Sequence, residues 1–100
     1  MSEDLTTANA RVFKALGDPF RLKILELLPD TPDCDQVYNV NELIEELGGS
    51  QPNMSHHLKV LKQAGLVLGK KMCCSIYFYR NKEQFCLVEQ TVKALKKRSK

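Results

Sequence analysis

From Gly49 to Val67 the chain specifies one helix and its exit. Ser50 can offer its hydroxyl oxygen to the orphan amides of a first turn, and Pro52 falls where a missing N–H costs little. Met54, Leu58 and Leu61 recur at i, i+4 and i+7, which predicts a buried stripe. Ser55, His56, Lys59 and Gln63 point away from that stripe on a 100° wheel. Gly65 can adopt the left-handed conformation that closes a helix. A short face of donors, acceptors and one cation is what a recognition helix lays into the major groove. A solvated amphipathic helix is the plainer reading of the same pattern.

The rest of the chain narrows the choice. One hundred residues, 43% of them hydrophobic, make a single domain over 1–100 with a core of modest size. No apolar run is long enough to cross a membrane. Met1-Ser2-Glu3-Asp4 is acidic and lacks an apolar signal region, so a cytoplasmic protein with no membrane partner is expected. The net charge of +3 is unevenly spread. Acidic residues concentrate in the first half, and lysines gather from Lys59 through Lys70-Lys71 to Lys100. That asymmetry fits one basic working face. The cysteines, Cys34, Cys73, Cys74 and Cys86, are expected as thiols, and their spacing matches no zinc-finger or C-x-x-C pattern.

Helical spacing of Leu5, Ala8, Val12, Phe13 and Leu16 predicts a first helix over about 4–16, stopped by Gly17. Asp18 caps a second helix that Pro19 starts, with Phe20, Ile24, Leu25 and Leu28 on its apolar face. Residues 29–35 read as a loop. Val37-Tyr38-Asn39-Val40 reads as a short strand, and Asn41 as the cap of a third helix carrying Leu43, Ile44 and Leu47. Gly48-Gly49 turns the chain into the Ser50 helix, which makes a helix-turn-helix. Leu66 to Lys71 and Ser75 to Arg80 predict a hairpin turning near Met72-Cys73-Cys74, placed as a wing. Phe85, Val88, Val92 and Leu95 mark a last helix, lysine-rich on its other side. The fold class is mainly α (α+β): a winged helix-turn-helix with five helices and a β-hairpin wing.

These segments resemble the ArsR/SmtB family of small winged-helix repressors over roughly residues 8–90. The carriers are the run Phe13 to Leu25, then Val40-Asn41-Glu42-Leu43, Ser50-Gln51, Ser55-His56-His57-Leu58, and Leu61 to Val67. The resemblance implies a homodimer, joined by the first and last helices, that binds double-stranded operator DNA as a transcriptional repressor and leaves it when an effector arrives. The apolar stripes on those two helices agree, since a small core cannot cover both, and a two-fold dimer would set two recognition helices on successive major-groove faces. By the resemblance Gln51, Asn53, Ser55 and His56, with Ser50 at the head of the helix, occupy DNA-contacting positions. Lys59, Lys70 and Lys71 would neutralise phosphates, and Gln51 or Asn53 could pair bidentately with adenine. His57, at the edge of the buried stripe, is expected to pack and hydrogen-bond.

The familiar effector sites of that family are missing. One uses C-x-C at the start of the third helix, where this chain has Asn39-Val40-Asn41, and asparagine is a poor ligand for soft metals. Another uses an acidic residue and histidines on the last helix, and residues 87–100 contain no histidine. The cysteines remain. Cys73 and Cys74 fall in the wing turn beside Lys70 and Lys71, which would favour thiolate. Cys34 lies in the loop, and Cys86 opens the last helix in a setting that Phe85 suggests is apolar. No cofactor is required. The effector expected is a thiolate-bound soft metal or metalloid ion at Cys73 and Cys74, with Cys34 or Cys86 as a third thiol. A redox or reactive-sulfur sensor using the same cysteines is the alternative, and a regulator without inducer is a third. A cysteine enzyme would need a base beside a thiol, and both histidines lie on the DNA helix, so no enzyme is expected. A winged helix used only for protein contact would not need the polar face of the Ser50 helix.

Overall fold

The computed structural model describes residues 5–33 and 36–97. Five helices and one hairpin occur in the order α1 (Leu5–Leu16), α2 (Pro19–Leu27), α3 (Val40–Leu47), α4 (Gln51–Gln63), β1 (Val67–Met72), β2 (Ser75–Arg80) and α5 (Lys82–Lys97). The five helices and the antiparallel wing are those expected from the sequence.

Local chemistry sets each boundary. Asp18 accepts from the Phe20 and Arg21 amides at 2.8 and 3.2 Å, and Pro19 occupies the first turn, so α2 starts where its N–H groups are satisfied. The start of α3 differs from the expectation. Asn39, not Asn41, is the cap, in a reciprocal capping box: its Oδ1 accepts from the Glu42 amide at 2.8 Å, and Glu42 Oε1 accepts from the Asn39 amide at 2.9 Å. Residues 37–40 are therefore not a strand. What survives is a single bridge, Tyr38 to Phe78, because Asn39 and Val40 are drawn into the helix.

Gly65 closes α4 in the left-handed region at φ 77°. The Leu66 amide bonds the Leu61 carbonyl at 3.0 Å and the Gly65 amide the Lys62 carbonyl at 3.0 Å, the paired bonds of a Schellman motif. Two more carbonyls at this end find donors further along the chain. Asn81 Nδ2 bonds the Gly65 oxygen at 2.8 Å, and Gln84 Nε2 bonds the Ala64 oxygen at 2.9 Å. The end of α4 and the start of α5 are thus one joint. The hairpin runs in register Val67 to Arg80 through Met72 to Ser75, leaving Cys73-Cys74 as a two-residue turn. Its second strand is pinned by the Phe78 amide on the Tyr38 oxygen and the Arg80 amide on the Pro29 oxygen.

The core is one cluster. Ile24, Leu28, Leu43, Met54, Leu61, Leu66 and Val67 are fully buried, with Val12, Ala15, Leu25, Leu58, Ala64 and Phe78 around them. Met54, Leu58 and Leu61 form the stripe expected of α4. Phe13, read as part of the apolar face of α1, is instead 39% exposed. No residue of α5 is buried, although Phe85 and Val88 pack on the core. Gly65→Ala should lower unfolding stability by about 1–2 kcal/mol, the cost of a Cβ in the left-handed region. The new methyl would also stand 3.3 Å from Gln84 Nε2. Urea unfolding followed by circular dichroism measures this.

Candidate nucleic-acid interface

With Met54, Leu58 and Leu61 in the core, the other side of α4 must face out. Gln51, Asn53, Ser55, His56, Lys59 and Gln63 are all exposed there. Ser50 is exposed too, but its Oγ is committed as the cap, accepting from the Asn53 amide at 3.3 Å. The helix thus presents amide, hydroxyl, imidazole and ammonium groups along one face, the mixture that reads base edges and phosphates.

The wing stands beside this face. Cross-strand partners share a face of the hairpin, so Lys71 lies with Ile76, and Lys70 with Tyr77. Ile76 and Phe78 line a groove of about 200 Å³ with Val40, Ser55, Leu58, Lys59 and Lys62. Lys71 therefore belongs to the face of the wing turned toward α4. Lys70 belongs to the opposite face, where its ammonium stands 3.8 Å from Asp33 Oδ1. Both partners are well exposed, and such a pair contributes little. The two lysines, adjacent in sequence, do not form one patch.

His57 takes the packing role expected of it. Its ring lies 5.0 Å from the Phe20 ring and its Nδ1 is 3.3 Å from Arg21 Nη1. Burial pushes its pKa below the ordinary imidazole value, with Asp18 opposing and Arg21 and His56 adding to the shift. Asp18 is also lowered, first by the hydrogen bond from the Arg21 amide. In both cases the unfolded chain binds more protons than the folded one, so each contribution to stability is lost on acidification. His57 acts from its ordinary imidazole range downward, and Asp18 only near the carboxylate range.

Of the described thiols two are adjacent and one stands apart. Cys73, Cys74 and Cys86 are free and exposed. Cys86 is not in the apolar setting expected of it. It lies one turn inside α5, which starts at Lys82, on a helix that buries no residue. Six-residue strands separate the turn from the wing's base, about 20 Å at the usual rise. Cys86 lies just past the base, so the structure does not bring it to Cys73 and Cys74. Cys34 falls outside the described residues. Among the described residues no group of three histidine, cysteine or acidic side chains is placed to hold a metal ion. One feature carries no signal in the sequence: Cys74 lines a groove of about 280 Å³ with Gln51, Asn39, Asn41 and Ile76. The pairing of the hairpin puts it there, and no residue spacing records that.

An exposed polar helix, capped and succeeded by a hairpin, completes a winged helix-turn-helix. Residues 18–68 match the profile of the bacterial regulatory protein, arsR family. An uncharacterized HTH-type transcriptional regulator of Methanocaldococcus jannaschii is 41% identical over 85 residues, 81% of this chain and 91% of that protein. The transcriptional repressor SdpR of Bacillus subtilis is 37% identical over 70 residues, 70% of this chain and 72% of its own. A homodimeric winged helix-turn-helix DNA-binding domain from Mycobacterium bovis superposes with a TM-score of 0.71 at 27% identity, covering 91% of this chain and 80% of that one. An ArsR-like transcriptional regulator from a Rhodococcus species shares the fold at a TM-score of 0.80 and 24% identity, over 95% and 83% of the two chains. This chain belongs to the arsR family. These relatives are transcriptional regulators, and no helix among the described residues is long and apolar enough to cross a membrane.

Gln51→Ala and His56→Ala should each weaken specific DNA binding by about 1–3 kcal/mol, the scale of a base-directed contact. Lys71→Ala should weaken binding to any duplex and flatten the salt dependence by about one unit. Fluorescence anisotropy across a salt series separates the two behaviours.

Proposed function

We propose that this chain is a homodimeric, operator-binding transcriptional repressor without enzymatic activity. The exposed polar face of α4 beside the wing face carrying Lys71 is the observation that carries the reading. Gln51, Asn53, Ser55 and His56 read bases and backbone, while Lys59, Lys70 and Lys71 hold phosphates. A phosphate would displace Asp33 from Lys70, an exchange of one weak exposed partner for a stronger one.

The dimer rests on α1 and α5. Leu87 is 55%, Val92 48% and Leu95 64% exposed in the single chain. A cleft of about 390 Å³ between α1 and α5, lined by Ala8, Val12, Leu87, Val88 and Ala94, adjoins them. An apolar surface of this kind on a small protein marks an interaction site. The Mycobacterium bovis domain, homodimeric itself, supports a second copy as the occupant. Sedimentation at micromolar concentration should give twice the chain mass. Val92→Glu with Leu95→Glu should give a monomer that binds operator at least tenfold more weakly, since each half-site is then held alone.

Release comes from a thiol-reactive effector, a soft metal or metalloid ion, at Cys73 and Cys74. Two observations support this. Cys73 sits in the left-handed region at φ 55°, in a turn that favours glycine or asparagine, so turn geometry does not explain a cysteine there. Cys74 shares its groove with Gln51, so bulk or charge bound to its sulfur would stand beside a DNA-reading side chain. A ligand that favours the free form by a few kcal/mol changes occupancy more than tenfold. Operator complexes of the parent and of the Cys73→Ser, Cys74→Ser variant should be titrated with arsenite, cadmium, zinc and a persulfide. Release of the parent alone supports the site, and the reagent that acts distinguishes metalloid from reactive-sulfur chemistry. Release of both at the same concentration overturns it, as does release of neither.

A further inference from the structure

The corner where α1, α2 and α4 meet holds a polar network that the DNA face does not use. The Arg21 side chain, only 13% exposed, is surrounded by acceptors. Its Nε donates to the Ala15 carbonyl at 2.8 Å, near the end of α1, and its Nη2 to the Lys14 carbonyl at 3.4 Å, which also accepts from the Gly17 amide at 3.1 Å. Asp18 Oδ2 is 4.0 Å from Nη1. Nη1 itself faces His57 Nδ1 at 3.3 Å, across to the recognition helix. Phe20 covers the imidazole from one side, and its Cζ also approaches the position a Cβ would take on Gly49, in the turn before α4.

A guanidinium only donates, so the nitrogen facing it must be the bare one. The His57 proton then sits on Nε2. Burial lowers the pKa of the ring and so favours the neutral form that such an acceptor requires. Among the described residues Arg80 Nε is the buried side-chain nitrogen or oxygen left without a partner. His57 itself is half-buried.

We propose that Arg21 is a positioning residue for DNA recognition: by donating to His57 Nδ1 it fixes the imidazole as the Nε2–H tautomer and latches α4, in one rotation about its axis, to the α1–α2 corner. The buried stripe of α4 sets which side faces the core, but methyl and methylene contacts are not directional. A hydrogen bond from a fork that is itself anchored on two carbonyls is directional. It links the helix that reads DNA to α1, part of the surface assigned to the dimer. The inference rests on the reading of α4 as the recognition helix.

The test has two arms. The first reads the imidazole of the free parent protein by long-range nitrogen–proton NMR at neutral pH. A proton on Nε2, moving toward a tautomer mixture in Arg21→Lys, is expected; a proton on Nδ1 overturns the latch whatever the variants do. The second selects a duplex from a randomised pool with the parent, then measures the affinity ratio of the selected to a random duplex. His57→Asn keeps an acceptor near the Nδ1 position and should hold the ratio within about threefold. His57→Leu keeps the packing on Phe20 but accepts nothing, and should lower the ratio at least tenfold with its urea midpoint close to the parent's. A His57→Leu ratio equal to the parent's would make the contact packing alone and overturn the proposal. A parent that selects no duplex would instead defeat the DNA reading, which the first arm leaves apart.

Discussion

Everything functional in this chain depends on α4 being held by one side only. Met54, Leu58 and Leu61 are among the most deeply buried side chains of the molecule, and they form the core with Ile24 of α2, Leu28 just past its end and Leu43 of α3. A thirteen-residue helix would be marginal by itself. Its apolar face, packed on α2 and α3, supplies the stability, and the polar face is thereby freed of any structural duty. The residues that can meet DNA are the ones the core does not need.

The same helix positions the wing and α5. Because Gly65 reverses the backbone, Leu66 and Val67 return to the core and the wing rises from the end of α4. Asn81 and Gln84 then donate to the carbonyls that this turn leaves exposed. Helix α5 is tied by its start to the end of α4, and in the proposed dimer the rest of its length meets the partner. The wing meets α4 at a second place, the groove that Gln51 and Cys74 share.

Most of this is legible in the residues. Capping signals at Asp18 and Ser50, the closing glycine and the period of the apolar positions predict four of the five helix starts and stops to within a residue or two, because each rests on contacts a few residues apart. The segment 37–40 misleads for a physical reason. Val37, Tyr38 and Val40 suit a strand, and Asn39 and Asn41 are both competent caps; Glu42 decides between them by returning a hydrogen bond to the Asn39 backbone. Cys86 misleads because Phe85 packs inward while its neighbour, 100° around the helix, does not.

By itself the sequence determined the helices, the wing and the polar face of α4, since periodicity and caps act within single elements. Only the tertiary structure decided which surfaces meet: that Lys70 and Lys71 stand on opposite faces of the wing, that Cys74 shares a groove with Gln51 and Cys86 does not approach it, and that Arg21 reaches His57 across thirty-six positions of chain. Those relations arise from strand register and from how helices dock. Both are settled by the packing of the whole core, so no local pattern of residues records them.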